Sequence, residues 1–446
     1  MDIYKWLYVR KFILTGVLID IALLEFFLIF SDTFIFNSYG LQLHNLNNFH
    51  LNILFSFSWI FFSYLCERYS NIENITLKNK FIRNIIKTLI TSIIIFILFC
   101  FIGLIFKINS VFFDPKKISI LILSSTLIQY FLSKITNLYS EKQIKYLVIY
   151  DEKFSEILIS FLNEINYFKK YNFTLFNKDI PQQNYQEVII AKMKLTKLEE
   201  KVCNDSIIKN KKISTFSEWC EFKLNAIPPE LLTTFEFHQS SFQNNNKGLE
   251  IRIKRIFDIL ISLCLIITTL PIVIIVILII KVEDGGPIFY SQVRSGFKSI
   301  NFRIYKLRSM HIKAELDGAQ WAKAKDNRIT KIGYLIRKTR IDELPQLINV
   351  IKGEMSLIGP RPERPEIDKK LTTKIAFYNI RYLAKPGLSG WAQVNYPYGA
   401  SIKDSMNKLS YDLFYIKNYS IWLDILIFFK TIKLIFNGKG ATPKNG

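Results

Sequence analysis

KRIFDILISLCLIITTLPIVIIVILIIKVEDGGP, residues 254–287, is the stretch on which the fold turns. Its apolar part, about Ile256 to Ile280, reaches the ~20 residues that a spanning helix needs. Pro271 stands in the middle, where it removes a backbone hydrogen bond and crowds the preceding turn. That proline predicts helix, break and helix, a re-entrant hairpin over 256–280 that returns to the side it entered. A kinked helix that crosses the bilayer is the alternative, and it would carry residues 281–446 to the opposite face.

Four apolar stretches precede it, at residues 13–30, 51–66, 84–106 and 118–133. They predict a transmembrane bundle of four helices, the second and fourth of them short. Lys5, Arg10 and Lys11 come before the first stretch, residues 31–50 hold neither Lys nor Arg, and Arg68, Lys78, Lys80 and Arg83 follow the second. Positive loops stay inside, so both ends of the bundle are expected in the cytoplasm. No signal-peptide cleavage pattern is visible, and the first span is expected to be retained. Asp20 and Glu25 lie within it, where acids are expensive and mark either function or packing inside the bundle.

Half of the 446 residues are hydrophobic and the formal net charge is +22. Such a charge suits an anionic membrane surface, phosphorylated substrates or nucleic acid. The apolar runs favour the first two, and with no base-reading or stacking motif in view a nucleic-acid partner is not expected. The five cysteines are scattered and the four histidines form no motif, which excludes a disulfide framework and a zinc site as readings.

From Lys145 the texture becomes α/β. YLVIYDE, FTLF and EVIIAKM read as strands and FSEILISFLNEI as a helix, a small Rossmann-like module over residues 141–237. Asp151, Glu152 and Lys153 stand where a dinucleotide fold needs glycines, so the module is expected to bind no dinucleotide. A polar linker, 238–250, leads to a basic α/β domain over 251–446. There FRIYKLRSM, Phe302 to Met310, alternates as a strand with Lys306 and Arg308 on one side. Tyr411 to Phe436 is apolar on one face and basic on the other, the pattern of a helix in the membrane interface. Trp391, Tyr396 and Tyr398 read as interface anchors or core.

The chemistry gathers in KIGYLIRKTRIDELPQLINVIKGEMSLIGPRPERP, residues 331–365. Asp342 and Glu343 follow Arg337, Lys338 and Arg340 and precede a helical pattern beginning at Leu344 and Pro345. Pro360, Pro362 and Pro365 stiffen a turn carrying Arg361, Glu363 and Arg364. A carboxylate among cations is a candidate nucleophile beside a phosphate cradle, although the pair taken alone reads first as an acidic helix cap.

From Lys254 onward these motifs, with GGPIFYSQVRSG, KPGLSGWAQV and YDLFYIKNYSIWLDI, resemble the bacterial sugar transferase family, the monotopic polyprenyl-phosphate phosphoglycosyl transferases. The resemblance implies transfer of a sugar 1-phosphate from a UDP-sugar to undecaprenyl phosphate, the first membrane step of exopolysaccharide, capsule or O-antigen synthesis. It implies Asp342 as nucleophile, Glu343 beside it, and both acids as ligands of a magnesium ion. Arg361 would bind phosphate, with Lys306, Arg308 and Arg364 in the same cationic lining. Leu270 departs from the serine many members carry before the hairpin proline, which leaves Thr268 and Thr269 to bond freed carbonyls. Expected with this are membrane lipids as partners and a multi-pass place in the bacterial inner membrane, with the catalytic domain on the cytoplasmic face. Self-association is left open. The competing reading is a non-catalytic membrane scaffold of a polysaccharide assembly complex, for which an acid pair beside a phosphate cradle serves no purpose.

Overall fold

The computed structural model describes residues 14–24, 46–66, 68–69, 77–106, 124, 126–128, 131, 145–151, 172–176, 185–192, 194–232, 248–311, 328–396, 399 and 401–436. They fall into two compact units, Met1–Lys142 and Gln143–Gly446.

In the first unit, α1 (Leu14–Leu24), α2 (Leu46–Leu65) and α3 (Leu77–Phe106) overlap the first three expected spans. Most of the fourth, 118–133, lies outside the described residues, as do Glu25, the helix expected at 154–165, Tyr398 and the linker as far as residue 247. Leu24, Trp59 and Ile95 form a small apolar core. Beside it Asp20 is fully buried and answered in full. Arg68 Nη1 donates to its Oδ2 at 2.9 Å, Trp59 Nε1 at 3.2 Å and Tyr69 Oη at 2.7 Å. The acid of the first span therefore serves packing within its own unit.

The second unit begins with a four-stranded parallel sheet, β1 (Lys145–Tyr150), β2 (Asn172–Leu175), β3 (Glu187–Ala191) and β4 (Lys212–Thr215), ordered β2-β1-β3-β4. The continuous apolar run in β1 places it centrally, because a parallel strand is buried on both faces. Helices α4 (Lys197–Ile208) and α5 (Phe216–Leu224) each start on a capping box, Thr196 with Glu199 and Thr215 with Glu218. Tyr146 of β1 and Phe173 of β2 meet Trp219 of α5 edge to face, and Phe216 stacks on the same Trp219.

Helix α6 (Gly248–Asp284) runs 37 residues and stays helical through Pro271. The interruption expected at the proline is thus not a break in the helix. The carbonyl that Pro271 leaves unserved is that of Ile267, and Thr268 and Thr269 do not bond it as expected but donate one turn earlier, to the carbonyls of Cys264 and Leu265. Among the described residues this is the one helix long and apolar enough to cross a membrane. Both of its flanks grip the domain that follows. Arg255 Nη2 donates to Ile351 O at 2.7 Å and Asp258 Oδ1 accepts from Leu357 N at 3.1 Å, while beyond Pro271 Val276 and Ile280 pack with Leu307 and Ile336. Ile267, between them, is 71% exposed.

The domain continues with an antiparallel hairpin, β5 (Phe289–Ser295) and β6 (Asn301–Leu307), in which Tyr290 faces Lys306. There follow α7 (Lys331–Thr339), a 3-10 turn (Ile341–Gln346), α8 (Leu347–Lys352), β7 (Ser356–Ile358), α9 (Pro365–Lys374), a second 3-10 turn (Tyr378–Leu383), β8 (Gly387–Ser389), α10 (Trp391–Asn395), α11 (Ile402–Lys417) and α12 (Ile421–Phe436). The single amphipathic segment expected over 411–436 is two helices. Tyr411, Leu413, Phe414 and Tyr415 are buried in the core, so only α12, with Trp422 64% exposed, keeps a free apolar face. Trp391 is also core, its Nε1 donating to Asn225 O at 2.9 Å.

Candidate active site

Arg340 ends α7 in the left-handed conformation, φ 62°, and turns the chain directly into the 3-10 turn. Asp342 and Glu343 therefore sit inside that turn, and the α-helix begins only at Leu347, three residues later than the sequence pattern suggests. Pro345 accounts for the delay, since it disfavours the α conformation at the residue before it.

Both acids are buried, yet their surroundings differ. Glu343 Oε1 accepts from Lys306 Nζ at 2.7 Å and from Arg361 Nη2 at 2.7 Å. Its Oε2 lies 3.5 Å from Arg361 Nη1 and 3.7 Å from Arg340 Nη1. Burial alone would raise the Glu343 carboxyl, but Arg361, Lys306 and Arg340 together hold it well below the usual carboxylate range. Asp342 Oδ1 has no hydrogen-bond partner among the described residues. Burial, then the neighbouring charge of Glu343, pushes Asp342 up to about 6 against the opposing pull of Lys306 and Arg340. One carboxylate is a fixed anion that organises cations, and the other is poised and under-bonded, a division of labour common at reactive sites.

The turn carrying Arg361 is held on all sides. Gly359 N donates to Ser389 O at 2.8 Å and Gly387 N to Pro360 O at 2.9 Å, which locks residues 359–360 to β8. The crossing needs glycines. A Cβ on Gly387 would lie 2.1 Å from Gly359 N, and one on Gly390 2.2 Å from Gly359 O. Arg381 Nη2 donates to Arg361 O at 2.8 Å and Arg294 Nη1 to Pro362 O at 3.2 Å. From behind, Lys254 Nζ reaches Ile358 O at 3.0 Å and Asp424 Oδ2 at 2.7 Å, so the basic start of α6 braces the same segment.

The structure brings together Asp342, Glu343, Lys306 and Arg361 of the expected site residues. Arg308 is buried just past β6, its backbone N–H on Ile288 O at 2.8 Å, and Arg364 caps α9, its carbonyl accepting from Asp368 N at 2.9 Å. Pro271 lies within α6, far from this cluster in the chain. Sequence reasoning missed Arg340 as a partner of Glu343, and Arg294, Arg381 and Asp412 as supports of the turn. Arg294 stood in a quoted motif and Arg381 four residues ahead of Lys385-Pro386-Gly387, but nothing local to either says that its side chain seeks a backbone carbonyl at residue 361 or 362.

Magnesium commonly binds through one or two carboxylates and fills its other positions with phosphate oxygens and water. Asp342 and the loosely engaged Oε2 of Glu343 fit that donor set. Among the described residues no group of three or more His, Cys, Asp or Glu side chains offers an all-protein cage.

A family model described as bacterial sugar transferase matches residues 249–438, which contain every residue of this site. The UDP-N-acetylgalactosamine-undecaprenyl-phosphate N-acetylgalactosaminephosphotransferase of Aeromonas hydrophila is 48% identical over 189 residues, 42% of this chain and 45% of that protein. The chain thus spans under half the length of that relative. The UDP-glucose:undecaprenyl-phosphate glucose-1-phosphate transferase of Caulobacter vibrioides is 36% identical over 190 residues, 42% of this chain and 71% of that protein. An uncharacterized sugar transferase of Bacillus subtilis is 37% identical over 193 residues, 43% of this chain and 92% of that protein.

Proposed function

The chain belongs to the bacterial sugar transferase family, and on that premise we propose that it is an undecaprenyl-phosphate sugar-1-phosphate transferase, moving a sugar 1-phosphate from a UDP-sugar to undecaprenyl phosphate. The observation that carries this reading is the asymmetry of the acid pair. Glu343 gathers Lys306, Arg340 and Arg361, while Asp342 keeps a buried oxygen without a donor.

A carboxylate left without donors is a stronger nucleophile than one that is bonded. An oxygen of Asp342 attacks the phosphorus that bears the sugar, and the bond from that phosphorus to the bridging oxygen of UMP breaks, so UMP leaves with the electron pair. A phosphate oxygen of the lipid then attacks the same phosphorus, the bond to Asp342 breaks, and the free carboxylate returns. Arg361, presented by its locked turn, holds phosphate oxygens with a planar fork, and Lys306 supplies a second cation. A magnesium ion held by Asp342 and Glu343 would neutralise diphosphate charge as the leaving group departs.

The proposed setting is the cytoplasmic face of the bacterial inner membrane, with the N-terminal helices spanning it and α6, unbroken in its helical pattern, bending at Pro271 so that both of its ends stay on that face. Run straight, the apolar stretch of α6 would be roughly 36 Å long, more than the hydrocarbon core of a bilayer. A spanning helix would put its two flanks on opposite faces, yet Asp258 and Ile280 are gripped by one domain.

The test is release of nucleoside monophosphate from a panel of UDP-sugars by the full chain with magnesium, with and without undecaprenyl phosphate. Lipid-dependent UMP release with one donor is expected and would identify the sugar. Release of UDP instead would make the protein an ordinary glycosyltransferase and overturn the reading.

A further inference from the structure

Helix α11 touches the parallel-sheet module on one side and the Arg361 turn on the other. On the module side, Ile227 N donates to Ser410 O at 2.8 Å, and Glu221 accepts from Lys417 Nζ at 2.7 Å and Asn418 Nδ2 at 2.8 Å. Trp391, bonded to Asn225 O, stacks on Phe414 with ring centroids 5.9 Å apart. Two residues beyond Ser410, Asp412 Oδ2 accepts from Arg381 Nη2 at 3.1 Å, and that same nitrogen donates to Arg361 O at 2.8 Å. Arg361 in turn holds Glu343.

We propose that the module spanning residues 145–232 sets the position of Arg361 through α11, with Asp412 and Arg381 as positioning residues and Glu221 as the clamp at the end of the helix. The proposal rests on the phosphosugar-transfer reading. Three observations support it over simple packing. Hydrogen bonds run from module to acid pair, joined only by two residues of helix backbone between Ser410 and Asp412 and by Arg361 itself, and such contiguous packed and bonded groups can carry coupling. Asp412 is 2% and Arg381 7% exposed, and a buried ion pair is weak as a stabiliser against apolar residues of the same volume, so its value here is the geometry it fixes. Glu221 acts on the last turn of α11 by polar contacts to Lys417 and Asn418. The module also lacks the glycine turn of a dinucleotide site, and holding α11 gives it a task without one.

The experiment uses the full chain. Glu221→Lys opposes Lys417, and the swap Glu221→Lys with Lys417→Glu restores the pair with its charges reversed. Two readouts are taken: UMP release against UDP-N-acetylgalactosamine and UDP-glucose, and hydrogen exchange of the amides at residues 359–363 and 378–383. Glu221→Lys is expected to lower kcat/KM about tenfold and to speed exchange at both segments, the swap to restore both, and Asp412→Asn to make the Glu221 change silent. Should Glu221→Lys fail to fold, Glu221→Gln gives the same signs with smaller size. Additive effects in the Asp412→Asn background, or faster exchange confined to residues 402–418, would overturn the proposal. If the wild-type chain releases no UMP from any donor, the transfer reading fails while the exchange measurement still decides the coupling.

Discussion

Arg361 and Glu343 meet at 2.7 Å, and the contact joins two turns that lie eighteen residues apart in the chain. It makes the second acid of the pair an anchor for cations and leaves the first chemically distinct. Each turn is fixed independently, one by the left-handed Arg340 and Pro345, the other by the glycine crossing at 359 and 387.

If Asp342 is the nucleophile, Asp342→Asn should cost at least about 10³-fold in turnover. Incubating the protein with a UDP-sugar labelled in the sugar, without lipid acceptor, should leave label on the wild-type chain and none on the variant. Equal labelling of the two would remove Asp342 from that role.

The same substitution should change stability in a pH-dependent way. Asp342 is raised in the folded state from 3.8 to about 6, so folding takes up protons there, and stability from this group is lost as pH rises through that window. Asparagine carries no such penalty. Asp342→Asn is therefore expected to be more stable than the wild type by up to about 3 kcal/mol at pH 8, with the gap closing near pH 4. Melting curves at the two pH values check it, and a gap independent of pH would contradict the assigned cause.

Gly387→Ala places a methyl group against the backbone of Gly359. It should destabilise the domain by about 1–3 kcal/mol and displace Arg361, with loss of transfer. A variant with wild-type melting and wild-type kinetics would show that the crossing is not what holds the turn.

In the N-terminal unit, Asp20→Asn leaves Arg68 buried with less than its counter-charge. A cost of about 3–5 kcal/mol is expected, and a smaller one for the paired replacement Asp20→Leu with Arg68→Leu. Thermal unfolding in detergent would decide, and a double variant worse than the single would refute the ion-pair account.

Cysteines introduced at Leu249 and Val282, 72% and 86% exposed, should both be labelled from the cytoplasmic side of the membrane. Labelling of position 282 from the other side would require a spanning α6.

Much of this was legible in the chain itself. Alternation and apolar runs located β1, β3 and β6, the 254–287 stretch announced a long apolar helix, and Asp342, Glu343, Arg361 and Lys306 could be named because reactive residue types stand in dense local motifs. Local pattern misplaced what neighbours override. The helix start moved from Leu344 to Leu347 because Pro345 and a left-handed Arg340 shape the turn, and Tyr411 to Tyr415 went to the core because α11 is covered on both sides.

Sequence by itself determined which groups carry charge and which segments must leave water, since both are properties of side chains and their spacing. Tertiary structure alone decided that three cations would converge on Glu343 and none would bond Asp342 Oδ1, and that Arg381 would grip the carbonyl of Arg361. Those outcomes depend on distances between turns far apart in the chain, and the electrostatic environment of a buried acid is set by such distances rather than by its neighbours in sequence.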